Sequence, residues 1–462
     1  MPLILGTNSI KAAGGFNVAN SYRSGVSGHY LLRNKTTATN VADLTISVWV
    51  KRSKLTDKTC IISSWGGDTN NTGSIFFTDG DKLTFEAQTG GSYSANGGVR
   101  KITTQVFRDV SSWSHLVFQK DDGVYKIYHN GTEITAFDTN TQSSGTNVFS
   151  NASGNTTVGN ENLAASDHDF QGYIAEAVLI DGQALAPTSF GEFDSDSNIW
   201  KPINVSGLTF GNNGFYLDFE DSSAMGNDAS GGTDFTLENV SAIDQSTDTC
   251  TNNFATLNPL YTFTNNFTYS EGNLQVVGGG NSWRGAIGTI GITKGKWFYE
   301  IKIISSTNTY FYHGFGSYDV YAPSTPHKNG VLFYNNDGGE IYTGDGTTHT
   351  STSANYGTFA QNDIMSLAVD YDNSLFSVYK NGSALVTNYD FGSQTYSSNL
   401  KNGKTIAPLL SHYGSSTYVA NFGSPPYSES GGNSDGNGYG NFSMAVPSGY
   451  YALNTKNLAE FG

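Results

Sequence analysis

Apolar and polar positions alternate in short runs along this 462-residue chain, and clusters of Gly, Asn, Asp and Ser separate the runs. Period-two alternation marks a half-buried strand, because successive side chains point to opposite faces of a sheet. In LTISVWVK, Leu44, Ile46, Val48 and Val50 share one face, while Thr45, Ser47, Trp49 and Lys51 take the other. WSHLVFQK sets Leu116 and Phe118 opposite His115 and Val117, and Asp121-Asp122-Gly123 then turns the chain into VYKIYHNG. The second half repeats the grammar. KWFYEIKII aligns Trp297, Tyr299, Ile301 and Ile303, and DIMSLAVDY aligns Met365, Leu367, Val369 and Tyr371. No long amphipathic helix is written anywhere. Runs of this length and spacing predict an all-β chain of sandwiches or barrels.

Two stretches are close relatives: VYKIYHNGTEI from Val124 and LFSVYKNGSAL from Leu375. Each places Asn-Gly between strand-forming runs, the strongest short signal for a tight hairpin. The chain is also too long for one ordinary core. From Ser222 to Asn253 it is rich in Ser, Asp, Gly and Thr and poor in apolar residues, so the boundary is expected there. The predicted organisation is an N-terminal attachment segment (1–20), a first sandwich (21–225) and a linker (226–260). A second sandwich (261–426) and a Gly/Asn/Ser-rich loop with a C-terminal segment (427–462) complete it.

Composition narrows the function classes. With 55 Gly, 27 Tyr and 28 Phe, and only 14% charged residues, the chain suits a turn-rich β-protein with a weakly charged surface. The formal net charge is −16 and the 24 basic residues are scattered, which argues against nucleic-acid binding. No apolar run approaches the ~18 residues of a membrane span, and MPLILGTNSIKAAGG does not read as a signal peptide. Cys60 and Cys250, one in each half, form no metal or redox motif and read as buried free thiols of a protein folded in a reducing cytoplasm.

The second half resembles the SPRY family through GKWFYEIKI (Gly295–Ile303), HGFGSYD near His313, and NDIMSLAVDYDNSLFSVYKNG (Asn362–Gly382). IAPLLS (Ile406–Ser411) and VANFG (Val419–Gly423) follow in family order. The first half resembles the laminin-G-like, concanavalin-A-like lectin/glucanase superfamily through LTISVWVK, WSHLVFQKDDGVYKIYHNGTEI and GYIAEAVLIDGQAL. Both resemblances imply antiparallel, jelly-roll-like sandwiches. Together with DTCTNNFATLNPL (Asp248–Leu260) and the Gly/Asn-rich C-terminal stretch, the chain resembles tail-associated proteins of tailed bacteriophages. That resemblance implies a virion protein and a homo-oligomer, trimeric in fibres of this kind. Its role would be recognising a bacterial surface glycan or protein receptor, with contacts to other virion proteins.

Candidate site residues follow from chemistry. Sugars offer C–H faces to aromatic rings and hydroxyls to Asn and Asp, so Trp65 with Asp68, Asn70 and Tyr93 forms one candidate constellation. In the second half, Tyr318, Asp319 and Tyr321 sit where the SPRY resemblance implies a binding loop. Hard Ca²⁺ takes oxygen ligands, and Asp68, Asp167 and Asp169 are candidates to hold it; solvated polar loops are the alternative. No other cofactor is expected. Glycoside hydrolysis needs two carboxylates across the scissile bond. Asp218 and Glu220 would share a strand face but fit a strand end better, and Glu176 stands alone on its strand. The expectation is therefore a non-enzymatic tail fibre or tail-associated adhesin. A purely structural or head-decorating virion role and a glycan depolymerase are the alternatives.

Overall fold

The strands predicted from alternation form, and the apolar faces named above line the cores, but several central strands, Leu44–Arg52 among them, are buried on both faces. The computed structural model describes residues 3–5, 15–25, 27–151, 153–161, 168–261, 263–307, 310–320 and 322–462. The chain is all-β and divides into two units. One spans Gly14–Thr251; the other spans Asn252–Gly462 and includes an N-terminal stretch around Ile4.

In the first unit two antiparallel sheets face each other. One runs in the order Thr132–Ile134, Val124–His129, Ser114–Asp121, Leu44–Arg52, Gly172–Asp181, Ser21–Ser24 and Gln245–Ser246, with Phe215–Leu217 also paired to Gly172–Asp181. The other runs Phe137–Gln142, Val99–Val106, Lys82–Gln88, Thr72–Phe77, Thr59–Trp65, Asn155–Val158, Tyr30–Asn34 and Thr236–Glu238. Leu44, Ile46, Val48, Val50, Leu116 and Phe118 fill the core between them, as the alternation predicts. Val117 and Val178 point the other way and are covered by Phe190, Val205 and Phe210 from the segment after Asp181.

The linker expected over 226–260 is a correction. Its first part completes the first sandwich: Thr236–Glu238 pairs with Tyr30–Asn34, and Gln245–Ser246 with Ser21–Ser24. Phe235 and Val240 enter the core, and Asp248 is 2% exposed against Lys51. The stretch looked like a linker because it contributes backbone pairing and buried polar groups, which apolar patterning does not register. The boundary instead falls between Thr251 and Asn252.

The second unit packs an eight-stranded sheet on a six-stranded one. The larger runs Thr268–Ser270, Gln275–Gly278, Ser416–Asn421, Lys296–Ser306, Ile364–Asp370, Leu375–Lys380 and Ser383–Asp390, with Tyr451–Ala452 added in parallel beside Trp297 and Phe298. The smaller runs Trp283–Ile287, Ile406–Tyr413, Phe311–Ser317, Gly330–Tyr334, Glu340–Gly344 and His349–Ser351. Trp297, Tyr299, Ile301, Met365, Leu367 and Val369 meet in the core.

The 427–462 segment is not a loose tail. Phe442 is fully buried edge-on to Phe298, and Leu453 and Leu458 join the core. The short helix Thr455–Phe461 is capped by Asn454, whose side chain accepts from Asn457 N. The expected attachment segment is also partly built in. Ile4 N donates to Thr289 O (3.0 Å), Gly291 N donates to Ile4 O (2.9 Å), and the Ile4 side chain sits in the second unit's core.

The repeated hairpin has one physical solution in both sandwiches. Asn130 and Asn381 adopt φ of 47° and 48°, and the following glycines are at 76° and 80°, the two positive φ values that a type I′ turn requires. Asn130 N donates to His115 O at 2.9 Å and its Oδ1 accepts from His115 N at 2.8 Å. Asn381 repeats both bonds with Ile364, at 2.9 and 2.8 Å. Asn tolerates the left-handed backbone and ties the turn to the neighbouring strand at once. Asn381→Ala is expected to cost about 2 kcal/mol, combining left-handed strain and a lost hydrogen bond. Asn381→Gly should cost less in the same denaturation experiment. Equal losses would show that backbone conformation is not what the Asn provides.

Candidate functional site

The structure gathers the first predicted constellation at one end of the first sandwich. Trp65 ends its strand, paired with Thr72 and Asn155. The following loop meets the next one: Gly91 N donates to Asn70 O (2.7 Å) and Gly90 N to Asn71 Oδ1 (3.0 Å). Asp68 is engaged within its own loop, accepting from Asn70 N (2.8 Å) and from Asn71 Nδ2 (3.0 and 2.9 Å). Tyr93 lies under the Arg100 guanidinium, 5.1 Å from its ring centre. These loops are thus tied to one another, and Asp68 acts as a turn former.

The calcium constellation does not assemble. Asp169 Oδ1 accepts from Asn160 Nδ2 (2.6 Å) and Oδ2 from Gly28 N (3.1 Å), beside Cys60 at the start of the Thr59–Trp65 strand. Asp68 follows the other end of that strand. The strand's length of about 20 Å separates them, too far to share an ion. Asp167 lies outside the described residues. Among the described residues, no group of three or more His, Cys, Asp or Glu is placed to hold a metal.

The second-unit constellation is a loop anchor. Tyr318 OH accepts from Asn258 Nδ2 (3.1 Å), its ring packs edge-on to Tyr261, and Asp319 Oδ2 accepts from Thr405 N (3.1 Å). Tyr321 lies outside the described residues. The carboxylates weighed for catalysis lie within electrostatic reach of one another, since Asp218 and Glu220 both add to the upward shift of Glu176, but they do not share one strand face. The strand ends at Leu217, Phe219 turns at φ 59° into the core, and Glu220 is exposed. Glu176 sits on a bulge at φ 49°, accepts from Tyr216 OH (2.7 Å), and is pushed by burial to about 8.

What the sequence did not show is a cleft of about 360 Å³ at the end of the first sandwich opposite Trp65. It opens where Arg52, Phe77 and the Asn130 hairpin meet the Val106–Ser114 connection. That connection folds on Asp109, whose Oδ1 accepts from Ser111 N (2.8 Å) and Oγ (2.6 Å) and whose Oδ2 accepts from Ser112 Oγ (2.7 Å). Asp81, fully buried, anchors both arginines: Arg52 Nη2 at 3.1 Å and Arg108 Nε at 2.8 Å. Arg52 lies over the Phe77 ring at 4.2 Å, and burial holds its guanidinium down near 10. Arg108 lines the cleft and keeps 58% of its side chain exposed.

Rings and polar edges alternate around this cleft. Trp113 is anchored by its Nε1, which donates to Asp248 Oδ1 (3.1 Å). His129 stands edge-on to Phe107 at 5.1 Å, and burial pulls its imidazole below the usual range, leaving it neutral at pH 7. Gln105, Ser112 and Ser114 add hydroxyl and amide groups. Such a space is within the usual volume of small-ligand sites and suits a compact polyhydroxylated molecule. The signal available in the sequence was FRDVSSW, where alternation breaks at an Asp-x-Ser-Ser turn between two strands.

A row of mostly buried polar groups lies on the outer face of the other sheet. Arg100, Glu86, Ser74, Ser63 and Thr157 occupy one register row. Glu161, 1% exposed, accepts from Ser74 Oγ (2.9 Å) and Lys58 Nζ (2.7 and 2.6 Å), and pairs with His168 (2.6 Å). Burial pushes the Glu86 carboxyl above its ordinary range, with Arg100 at 3.3 Å opposing the shift.

Comparison with known proteins returned one family model, described as the concanavalin A-like lectin/glucanases superfamily, matching residues 24–188. All residues of the cleft fall within that match. Solved structures with similarity include a putative carbohydrate binding protein from Bacteroides ovatus, at 15% identity over 48% of this chain and 58% of that one (TM-score 0.34). Domains LG4-5 of the mouse laminin alpha1 chain match at 10% identity over 88% and 90% (TM-score 0.32). The SPRY domain of human HERC1 matches at 15% over 32% and 87% (TM-score 0.24). No curated protein sequence matched.

Proposed function

We propose that this protein is a non-enzymatic adhesin of a tailed-phage virion that holds a bacterial surface saccharide in the Arg108–Trp113 cleft. The observation that carries this is the cleft itself: aromatic walls, a neutral imidazole and a solvent-facing guanidinium enclose one sugar-sized space in a lectin-like sandwich. Rings take the C–H faces, Gln105 and Ser112 take hydroxyls, and Arg108 favours an acidic or heavily hydroxylated residue. Binding at one such site is weak, and a homo-oligomer, a trimer in the tail-fibre reading, raises avidity through effective concentration. The second, SPRY-like unit then carries contacts of its own, to a protein receptor or to other virion proteins.

A glycan array probed with the full chain tests this. Saturable binding should fall about tenfold in Arg108→Ala, a loss of one or two charge-assisted hydrogen bonds, and should persist with chelator. Binding that ignores Arg108→Ala would sink the cleft as the site. A depolymerase reading is favoured by one observation: Glu86 and Glu161 both flank Ser74 on one sheet face. New reducing ends that vanish in Glu86→Gln would replace the adhesin reading with that one.

A further inference from the structure

We propose that Lys51 and Asp248 condense after folding into an intramolecular amide, a self-made cross-link between a central strand of the first sandwich and the end of that unit. Lys51 Nζ stands 2.7 Å from Asp248 Oδ2, and the two side chains are 1% and 2% exposed. Burial of both partners sets this pair apart. In every other lysine–carboxylate pair among the described residues, the lysine side chain is at least 28% exposed. An exposed pair stays ionised and hydrated. A buried one holds two desolvated charges, whose cost an uncharged amide between the same groups removes.

Both partners are held for attack. Lys51 lies in Leu44–Arg52 opposite Tyr173, with Nζ 5.4 Å from the Tyr173 ring centre. Asp248 follows Gln245–Ser246, which pairs with Ser21–Ser24. Its backbone is fixed on both sides: Ser21 Oγ donates to its carbonyl (2.6 Å) and its N donates to Ser246 Oγ (3.1 Å). With Oδ2 2.7 Å from Nζ, Cγ lies one bond further, within about the 3–3.5 Å at which the reacting atoms of a near-attack pair stand. The Tyr173 and Trp113 rings, 6.2 Å apart, flank the pair. Burial moves the Lys51 ammonium towards the neutral amine, which is the nucleophile.

The step balances without an outside reagent. Lys51 passes one proton to Asp248 Oδ2, and the freed amine attacks Cγ. Negative charge then builds on Oδ1, where Trp113 Nε1–H already donates at 3.1 Å. A second proton moves from the nitrogen to Oδ2, the Cγ–Oδ2 bond breaks, and water leaves as the Nζ–Cγ amide forms. Nothing is oxidised or reduced. Freshly folded protein holds the ion pair, and the amide accumulates from it. The product joins residues 197 apart in sequence. A pull on the ends of the unit is then carried from Lys51 to Asp248 through a covalent bond, with the residues between them outside the load path. An apolar pair in place of Lys51 and Asp248 can recover what the ion pair contributes, not what the amide adds.

Intact-mass spectrometry of the denatured full chain, directly after purification and again after days at neutral pH, tests this. The aged protein should weigh one water less than its sequence. A protease digest should then contain a branched peptide joining the Lys51 and Asp248 segments. Lys51→Arg, which keeps the charge without the amine, should keep its full mass. An aged wild-type chain at full mass overturns the amide and leaves an ion pair only. A lost water without the branched peptide overturns it too, since an Asp-Gly step such as Asp122-Gly123 can lose water by closing a succinimide. The decisive reading comes from the wild-type chain, so a variant that fails to fold does not blur it. The result is independent of whether the cleft binds sugar.

Discussion

Replacing Asp248 with Ala is expected to lower the melting temperature of the first sandwich by about 10 °C or more. Lys51 and Asp248 are 1% and 2% exposed, with Nζ 2.7 Å from Oδ2. Burial alone drives the Lys51 ammonium towards its neutral form, and Asp248 opposes this. Removing the carboxylate leaves a buried ammonium without its counter-charge and frees the Trp113 indole that Oδ1 fixed at 3.1 Å. Breaking one partner of such a pair costs about 3–5 kcal/mol, and about 2–4 °C accompanies each kcal/mol in a domain of this size. Calorimetry of the full chain should show one transition shifted. The pair Lys51→Met with Asp248→Leu should recover much of the loss, because replacing both ions by apolar side chains removes the desolvation problem. A single-variant shift below the scatter of the measurement would mean that water reaches this pair.

Ending the chain at Pro426 should have a larger effect, leaving the second unit unfolded. The removed segment supplies Phe442, Leu453 and Leu458, all fully buried, and the parallel strand Tyr451–Ala452. It also supplies three of the donors around Glu300, which is fully buried: Ser443 N (3.0 Å), Ser443 Oγ (2.6 Å) and Met444 N (3.3 Å). Ser366 Oγ and Asn421 Nδ2 would remain, each at 3.1 Å. Losing Phe442 alone is worth about 3–5 kcal/mol, and an under-satisfied buried carboxylate adds about 1–3 kcal/mol or more. Together these approach the whole stability of an ordinary domain. Limited proteolysis should degrade residues beyond about 252 while sparing the first sandwich. A truncated protein whose second unit resists protease like the full chain would refute this.

These two sites mark where the sequence could and could not be read. Leu44 to Val50 and Trp297 to Ile303 were legible because alternation decides which side chains line the core between the sheets. Asn130 and Asn381 were legible because positive φ at successive residues admits few side chains. Asp248 and Glu300 were not, since their roles depend on partners far along the chain: Lys51 at one site, Ser366 and Ser443 at the other. Phe442 sits in a Gly/Asn/Ser-rich stretch whose composition hides one buried ring among many turn residues.

The candidate site divides along the same line. Trp65, Asp68, Asn70 and Tyr93 were grouped on the chemistry of sugar recognition, and the polar atoms of Asp68 and Asn70 close their own loops. Asp68 and Asp169 could be grouped only by composition, and a strand's length keeps them apart. The Arg108–Trp113 cleft escaped because Asp81, which holds both arginines, is 29 residues from Arg52 and 27 from Arg108 in the chain. Trp113 and His129 read equally well as ordinary strand residues.

Ile4 and Leu458 lie in the same core, and that fixes an order of events during synthesis. Residues 14–251 hold a complete set of contacts and can close while the rest of the chain is still being made, at roughly 5–20 residues per second. The second unit must wait. Its N-terminal contribution emerges first, and its last core side chains emerge only after some 450 further residues. The Ile4 stretch therefore stays unsatisfied for tens of seconds in that rate range, trailing a folded sandwich.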